Sequence, residues 1–310
     1  MIDDFVAQAN QLPGEFSQNL SLERYNSWRV GGPGEYVYLP KSIEDLQQFI
    51  SIIPNDMPIT WLGLGSNTLI RDGGVKGAVI VTQGRMSTIE VRDDNRLYAE
   101  AGASCAQVAR FGARNNLTGA EFLAGVPGTM GGALAMNAGC FGSETWEFIE
   151  SVTMLTREGK LQTLTADAFE IGYRSVARPV DGWFISAVLK LTPGVKEESL
   201  GKIRVLLDSR AASQPTGEHS CGSVFRNPAN DYSGRLVEAC GLKDYHIGGA
   251  KVSPKHANFI LNTGAATAAE IEELIFFVQK QVNDKFGVEL KCEVKVIGQL
   301  ATGVKNGQAA

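Results

Sequence analysis

At 310 residues, 44% hydrophobic and 20% charged, the chain has room for about two domains and the sizeable core of an ordinary soluble protein. Its 29 Lys+Arg against 34 Asp+Glu give a net charge of −5 and a pI near 5.4, which argues against a nucleic-acid or anionic-membrane partner. No stretch approaches the ~20 apolar residues of a membrane span, and the acidic start MIDDFVAQANQ does not read as a signal peptide.

Five scattered cysteines (Cys105, Cys140, Cys221, Cys240, Cys292) and three histidines show no metal-ligand spacing, so no metal site is expected. Reduced thiols in a cytoplasmic protein fit this usage better.

In chain order, RYNSWRVGGPGEY comes first. Gly31-Gly32-Pro33-Gly34 forces a turn after a polar-aromatic segment, and on its residues alone this reads as a surface loop. Ser42 then N-caps a helix with an acidic first turn; Ile43, Leu46, Phe49 and Ile50 share one face and Pro54 stops it. A strand is predicted over Ile59 to Leu62, followed at once by Gly63-Leu64-Gly65-Ser66-Asn67-Thr68. Thr68 stands where the dinucleotide fingerprint GxGxxG needs its third glycine. Glycines with hydroxyl and amide donors still suit a phosphate cradle, and an ordinary strand-to-loop turn is the alternative.

Strands are predicted at Val79 to Val81 and Leu97 to Glu100, and Ser104 with Gln107 forms a capping box for a helix reaching Asn115. Next comes EFLAGVPGTMGGALAMNAGCFG, Glu121 to Gly142, with six glycines among small apolar residues. Pro127-Gly128 suits a tight turn, and Thr129 is placed to cap a short helix running to Met136. Such a turn points several free amides one way, which suits a nucleotide cofactor; a close-packed crossover without ligand is the alternative.

Val152 to Thr156 and Leu161 to Thr165 form a hairpin around Arg157-Glu158-Gly159-Lys160. Trp183 to Thr192 reads as a long strand, and Pro193-Gly194 as a domain boundary. Glu197 to Arg210 is helical and Gln214 to Gly222 a loop. A second capping box, Thr267 with Glu270, opens a helix whose face runs through Ile271, Leu274, Ile275, Val278, Val282 and Phe286 to an αL cap at Gly287. Val288 to Ile297 reads as a strand, and ATGVKNGQAA as a disordered tail. Alternating strands and helices predict a mixed α and β fold.

Taken together, NSWRVGG from Asn26, GLGSN from Gly63 and AGVPGTMGGALAMNAG resemble the flavin-binding half of the UDP-N-acetylenolpyruvoylglucosamine reductases. So, in the same order, do GYR at Gly172 to Arg174, SCGSVFRNP at Ser220 to Pro228, KHANFILN at Lys255 to Asn262 and CEVKVIG at Cys292 to Gly298. The resemblance implies an α+β fold: a two-lobed FAD-binding domain of the vanillyl-alcohol-oxidase/PCMH type over residues 1–195, split near residue 82. A smaller α+β substrate domain over residues 196–290 follows, then a strand within residues 291–310 that returns to the FAD domain. It also implies the shorter subtype, which lacks an inserted substrate-covering loop. One departure stands out: Ser175 directly follows Arg174, where the family more often has one residue between.

The implied reaction takes a hydride from NADPH onto noncovalent FAD and passes it to the enolpyruvyl ether of UDP-N-acetylglucosamine, giving UDP-N-acetylmuramate for the cell wall. By the resemblance, Arg174 stabilises the developing enolate, Glu293 assists as a protonated acid, and Ser223 donates the proton. Taken singly, these residues read as a surface ion-pair former, a solvent-facing strand residue and a turn residue; the ordered motifs reverse that.

The resemblance assigns the cofactor to Gly63, Gly65, Ser66, Asn67, Thr68, Gly125, Val126, Pro127, Gly128, Thr129, Gly132, Asn137 and Gly139. The substrate falls to Tyr173 and Asn227, with Arg210 and Arg226 further anion contacts or, alternatively, solvated charges. His219 and His256 lie outside the flavin lobe, and Cys221 reads as a packing residue rather than a nucleophile. An oxidase of the same broad fold acting on an alcohol or sugar, or a non-catalytic flavin or UDP-sugar module, is the alternative function.

Overall fold

Two units interleave along the sequence. The first takes the chain up to Ser17, Val37–Leu64 and Ala78–Arg210; the second takes Gln18–Tyr36, Gly65–Gly77 and the chain from Ala211 on. The computed structural model describes residues 2–301. The expectation of a disordered tail falls almost wholly on residues outside that range.

In the first unit, helix α1 (Ile2–Ala9) buries Phe5, whose ring meets Phe16 edge-on at 5.9 Å. Helix α2 (Ile43–Ile52) is capped as predicted, the Ser42 hydroxyl accepting from the Asp45 amide at 3.2 Å. Asp45 is itself buried and receives the Tyr38 hydroxyl. Burial, reinforced by that carboxylate, drives the Tyr38 phenol well above its ordinary range. Strand Ile59–Leu62 has the predicted bounds and runs parallel to the end of Val75–Val81, Ile59 opposite Ala78 and Leu62 opposite Val81.

A five-stranded antiparallel sheet forms the wall of this unit, in the order Leu161–Thr165, Ile149–Thr156, Gly182–Lys190, Arg96–Glu100, Ile89–Arg92. The long strand predicted to Thr192 stops at Lys190, and Thr192–Pro193 pairs instead with Leu117–Thr118. Helix α3 (Cys105–Arg114) carries the predicted capping box, and helix α4 (Met130–Ala135) is the short helix of the glycine-rich stretch. Val108, Leu123, Met130, Leu134, Met154 and Leu189 belong to the core these elements share.

Helix α5 (Lys196–Ser213) is fastened to this core by Glu121. That buried carboxylate accepts from the Thr118 hydroxyl at 2.5 Å, the Gly119 amide at 2.7 Å and the Ser199 hydroxyl at 2.8 Å. Burial alone raises a carboxyl's pKa, but these hydrogen bonds to its charged form outweigh that and hold Glu121 below its ordinary value.

In the second unit, helix α6 (Ser233–Ala239) and helix α7 (Ala268–Phe286) pack around a core containing Trp28, Leu69, Phe225, Ile260 and Leu274. The NSWRVGG segment is no surface loop: Trp28 is fully buried and its indole donates to the Ile260 carbonyl at 2.7 Å. Helix α7 has the predicted capping box and Gly287 in αL backbone. It has a second, remote cap in Asp72, whose two oxygens accept the Ala268 and Ala269 amides at 3.0 and 2.9 Å.

The strand predicted over Val288 to Ile297 is not continuous. Only Lys295–Ile297 is a strand, parallel to Thr68–Ile70. Upstream of it the Val224 carbonyl takes the Glu293 amide at 2.8 Å, and Lys291 accepts from Arg226 at 2.9 Å.

Candidate active site

Gly63 ends its strand against Thr129. A Cβ on Gly63 would lie 2.4 Å from Thr129 Oγ1, so glycine lets the two segments meet here without displacing that hydroxyl. Thr129 occupies the N-cap position of α4 with extended backbone, yet its hydroxyl makes no capping bond. It is buried and has no hydrogen-bond partner. Of the turn's amides, several of which were expected to be free, those of Met130 and Gly131 donate to Ala103 and Ala101 at 2.9 Å each. A Cβ on Gly132 would stand 3.8 Å from Thr129 Oγ1, while Gly125 lies under the Phe141 ring.

Tyr173 and Arg174 form the two-residue tip of a hairpin in which Glu170–Gly172 pairs with Ser175–Ala177, Gly172 opposite Ser175. The missing residue after the arginine thus closes a tight turn, and Arg174 takes the left-handed conformation at φ +53°. That conformation costs a non-glycine residue about 1–3 kcal/mol. The guanidinium donates to the Gly139 carbonyl at 3.0 Å and to the Asn137 carbonyl at 3.4 Å. It also lies 5.4 Å from the centre of the exposed Tyr173 ring.

Arg210, from the last turns of α5, donates to the Gly125 carbonyl at 2.7 Å. Burial lowers its pKa, a desolvated cation being disfavoured. Both arginines act on Cys140: burial pushes this thiol up to about 11, and the two cations pull against it. The first unit therefore gathers Arg174 and Arg210 onto the glycine-rich stretch.

In the second unit, Gly65 takes φ +65°, and a Cβ there would lie 2.2 Å from the Tyr25 carbonyl. Asn67 donates its side-chain amide to the Glu293 carbonyl at 3.1 Å and accepts from the Lys295 amide at 3.0 Å. Thr68 pairs with Lys295, and Ser66 is half-buried beside them. Ser223 follows Gly222 (φ +71°) and precedes Val224, the residue that binds the Glu293 amide. The segments that carry Ser223, Glu293 and Asn67, far apart in the chain, are thus joined through the Glu293 main chain. Asn227 is exposed and accepts the Ser233 amide at 3.1 Å at the start of α6. Cys221 is buried against the Gly65 and Thr68 carbonyls, its thiol pushed up to about 12 by burial, as befits a packing residue.

Asn258 is a support the sequence did not single out. It accepts from the Phe225 amide at 3.0 Å and donates to the Phe225 carbonyl at 2.8 Å, holding the segment after Ser223. An amide inside the apolar run NFIL was the available signal.

Residues 34–165 match the family model of the FAD binding domain, so the fold is that of a PCMH-type flavoprotein, α+β as expected. Residues 214–297 match the model described as UDP-N-acetylenolpyruvoylglucosamine reductase, C-terminal domain. A curated relative of that name from Legionella pneumophila (strain Corby) is 56% identical over 281 residues, spanning 90% of this chain and 91% of the relative. One from Methylococcus capsulatus is 50% identical over 286 residues, spanning 92% and 94%. The solved UDP-N-acetylenolpyruvylglucosamine reductase of Thermus caldophilus superposes with a TM-score of 0.79 at 30% identity, over 92% of this chain and 99% of that one. The chain belongs to the UDP-N-acetylenolpyruvoylglucosamine reductase family.

The residues present fit a flavin. A buried hydroxyl without a partner costs about 1–3 kcal/mol unless something bonds it, and Thr129 has such a hydroxyl beside a glycine whose Cβ would crowd it.

Proposed function

We propose that Arg174, Ser223 and Glu293 carry the reduction of UDP-N-acetylglucosamine enolpyruvate to UDP-N-acetylmuramate. The chain is an FAD-dependent oxidoreductase of peptidoglycan precursor synthesis with NADPH as reductant, acting on a small-molecule UDP-sugar. An oxidase or a non-catalytic module of the same fold is not favoured, because relatives matching nine-tenths of the chain carry the reductase name.

Bound FAD supplies the two-electron chemistry between NADPH and the enolpyruvyl carbon. Gly63, Gly65, Ser66, Asn67 and Thr68 are the residues we assign to hold it, with Gly125 to Thr129, Gly132 and Gly139; Asn137, the remaining residue expected there, is buried with its side-chain nitrogen engaged by Glu144 and Gly172. The domain limits we assign are residues 1–195 for the flavin, 196–290 for the sugar and 291–310 for the returning strand. Pairing of Lys295–Ile297 with Thr68–Ile70 supports that return.

As the enolpyruvyl group accepts electrons, negative charge runs into its carboxylate. Arg174 has the flat, permanently charged fork that matches such a group, and a hairpin tip that fixes its backbone. Ser223 gives the proton to the carbon next to the carboxylate, and Glu293 acts as a neutral acid beside the enolate. Tyr173, Arg210 and Asn227 hold the rest of the substrate. Five free thiols suit a reducing compartment, and we place the protein in the cytoplasm without a nucleic-acid or membrane partner.

The observation that supports this reading is the 2.8 Å main-chain bond from the Glu293 amide to the Val224 carbonyl, which joins the segments carrying Glu293 and Ser223, 70 positions apart in the chain. Its test is a visible spectrum taken without oxygen. NADPH should bleach the yellow protein, and the enolpyruvyl sugar should restore the colour. Colour that returns only with air would refute the assignment.

A further inference from the structure

The two carbonyls that receive the Arg174 guanidinium, those of Asn137 and Gly139, hang from one buried side chain. Asn137 is 1% exposed and stands in left-handed backbone at φ +45°. Its amide nitrogen donates to Glu144 Oε2 at 2.7 Å and to the Gly172 carbonyl at 3.3 Å. Its oxygen accepts from the Trp146 amide at 3.2 Å.

Each bond locates a different part of the Arg174 setting. Glu144 lies opposite Gly139 in a two-stranded ladder, so holding Glu144 holds the Gly139 carbonyl. Gly172 is the last residue of the strand that leads into Tyr173-Arg174, so holding its carbonyl sets the angle of the hairpin tip. Trp146 is the fixed base: its indole donates to Leu134 at 2.9 Å, and its ring packs on Phe169, at the root of the same hairpin, with centroids 4.7 Å apart. Both hydrogens of the Asn137 amide are engaged within this assembly.

We propose that the Asn137 side chain is a positioning residue for Arg174, tying the guanidinium's carbonyl seat and the hairpin tip to one rigid point. This rests on the enolate-stabilising role assigned to Arg174. A group that acts only as charge builds on the substrate is sensitive to placement, and about 1 Å of displacement can cost about a hundredfold in rate.

The two half-reactions, followed separately without oxygen, test it. In Asn137→Ala, reoxidation by the enolpyruvyl sugar should slow about ten- to a hundredfold. Bleaching by NADPH and the Kd for FAD should stay within about threefold of the parent. Asn137→Asp keeps the acceptor for Trp146 but loses both donors and faces Glu144, so it should behave like the alanine variant. Combined with Arg174→Lys, Asn137→Ala should add less than about twofold, since both act through one group.

A raised FAD Kd with normal sugar reoxidation would make Asn137 a cofactor ligand and overturn the proposal. So would equal slowing of both half-reactions, or additive losses in the double variant. If Asn137→Ala does not yield folded yellow protein, Glu144→Ala decides: a loss confined to the sugar half-reaction is expected, and an unchanged rate there overturns the proposal. Failure of the parent protein to be reoxidised by the sugar is a separate outcome, which removes the reductase reading itself.

Discussion

Thr129 Oγ1 sits 2.4 Å from where a Cβ on Gly63 would stand, and among buried side-chain oxygens it is one of the few with no hydrogen-bond partner. The hydroxyl is therefore expected to add nothing to the stability of the cofactor-free protein. Thr129→Ala is expected to leave the Tm of the apoprotein level or slightly higher. It should weaken FAD binding about three- to tenfold, as befits one lost hydrogen bond of about 0.5–1.5 kcal/mol. Calorimetry of the apoprotein with a flavin titration measures both. A lower apoprotein Tm with unchanged flavin affinity would mean the hydroxyl serves the fold.

Arg174→Lys keeps the charge and loses the planar fork. Reoxidation by the enolpyruvyl sugar should fall about 10²–10³-fold, in the range found when one preorganised donor to a developing anion is lost. Bleaching by NADPH should be nearly intact. Stopped-flow absorbance of each half-reaction reads this directly, and equal damage to both would remove the enolate role.

Ser223→Ala should give folded, yellow protein that NADPH bleaches normally and that turns over about 10²–10⁴-fold more slowly, the usual worth of positioned proton transfer. The residue lies at a turn after Gly222, so no cavity is opened in the core. Turnover at the parental rate would send the proton-donor role elsewhere.

The hydrogen bonds around Glu121 predict a pH-dependent contribution to stability. Its folded pKa lies below the ordinary value of 4.5, so the unfolded chain binds the proton more readily. The contribution is present above about pH 4.5 and fades as pH falls through the lower folded value. Glu121→Gln should cost about 1–3 kcal/mol at pH 7, with the gap to the parent closing under acid. Thermal melts of both proteins at pH 7 and pH 3.5 test this. A gap of the same size at both would show that the charge is not its source.

Local signals in the sequence were read well because their causes are local. The capping boxes at Ser104 and Thr267 and the αL glycine at 287 need only residues within a turn or so of each other, and all three are present. The stretch Glu121 to Gly142 was legible as a glycine run. Its packing was not, since Thr129 meets Gly63 and the amides of Met130 and Gly131 are taken by Ala103 and Ala101.

Distant pairings account for the rest. Alternation made Val288 to Ile297 look like one strand, but Val224 captures the Glu293 amide and breaks it. Trp28 sits in a polar, glycine-rich neighbourhood that reads as surface, yet its indole is matched to a carbonyl 232 residues away. The second cap of α7 comes from Asp72, and no inspection of the helix's own sequence would find it.

The pairing of Lys295–Ile297 with Thr68–Ile70 sets an order of events during synthesis. Among the described residues, the early strand has no other strand partner. While the nascent chain lengthens on the ribosome, Thr68–Ile70 waits as an unpaired apolar edge, of the kind that invites wrong pairings and chaperones. The first unit, by contrast, has all its residues once Arg210 has emerged. Chains arrested just short of Lys295 should therefore be cut by protease around residues 65–77, and chains arrested beyond Ile297 should be spared there.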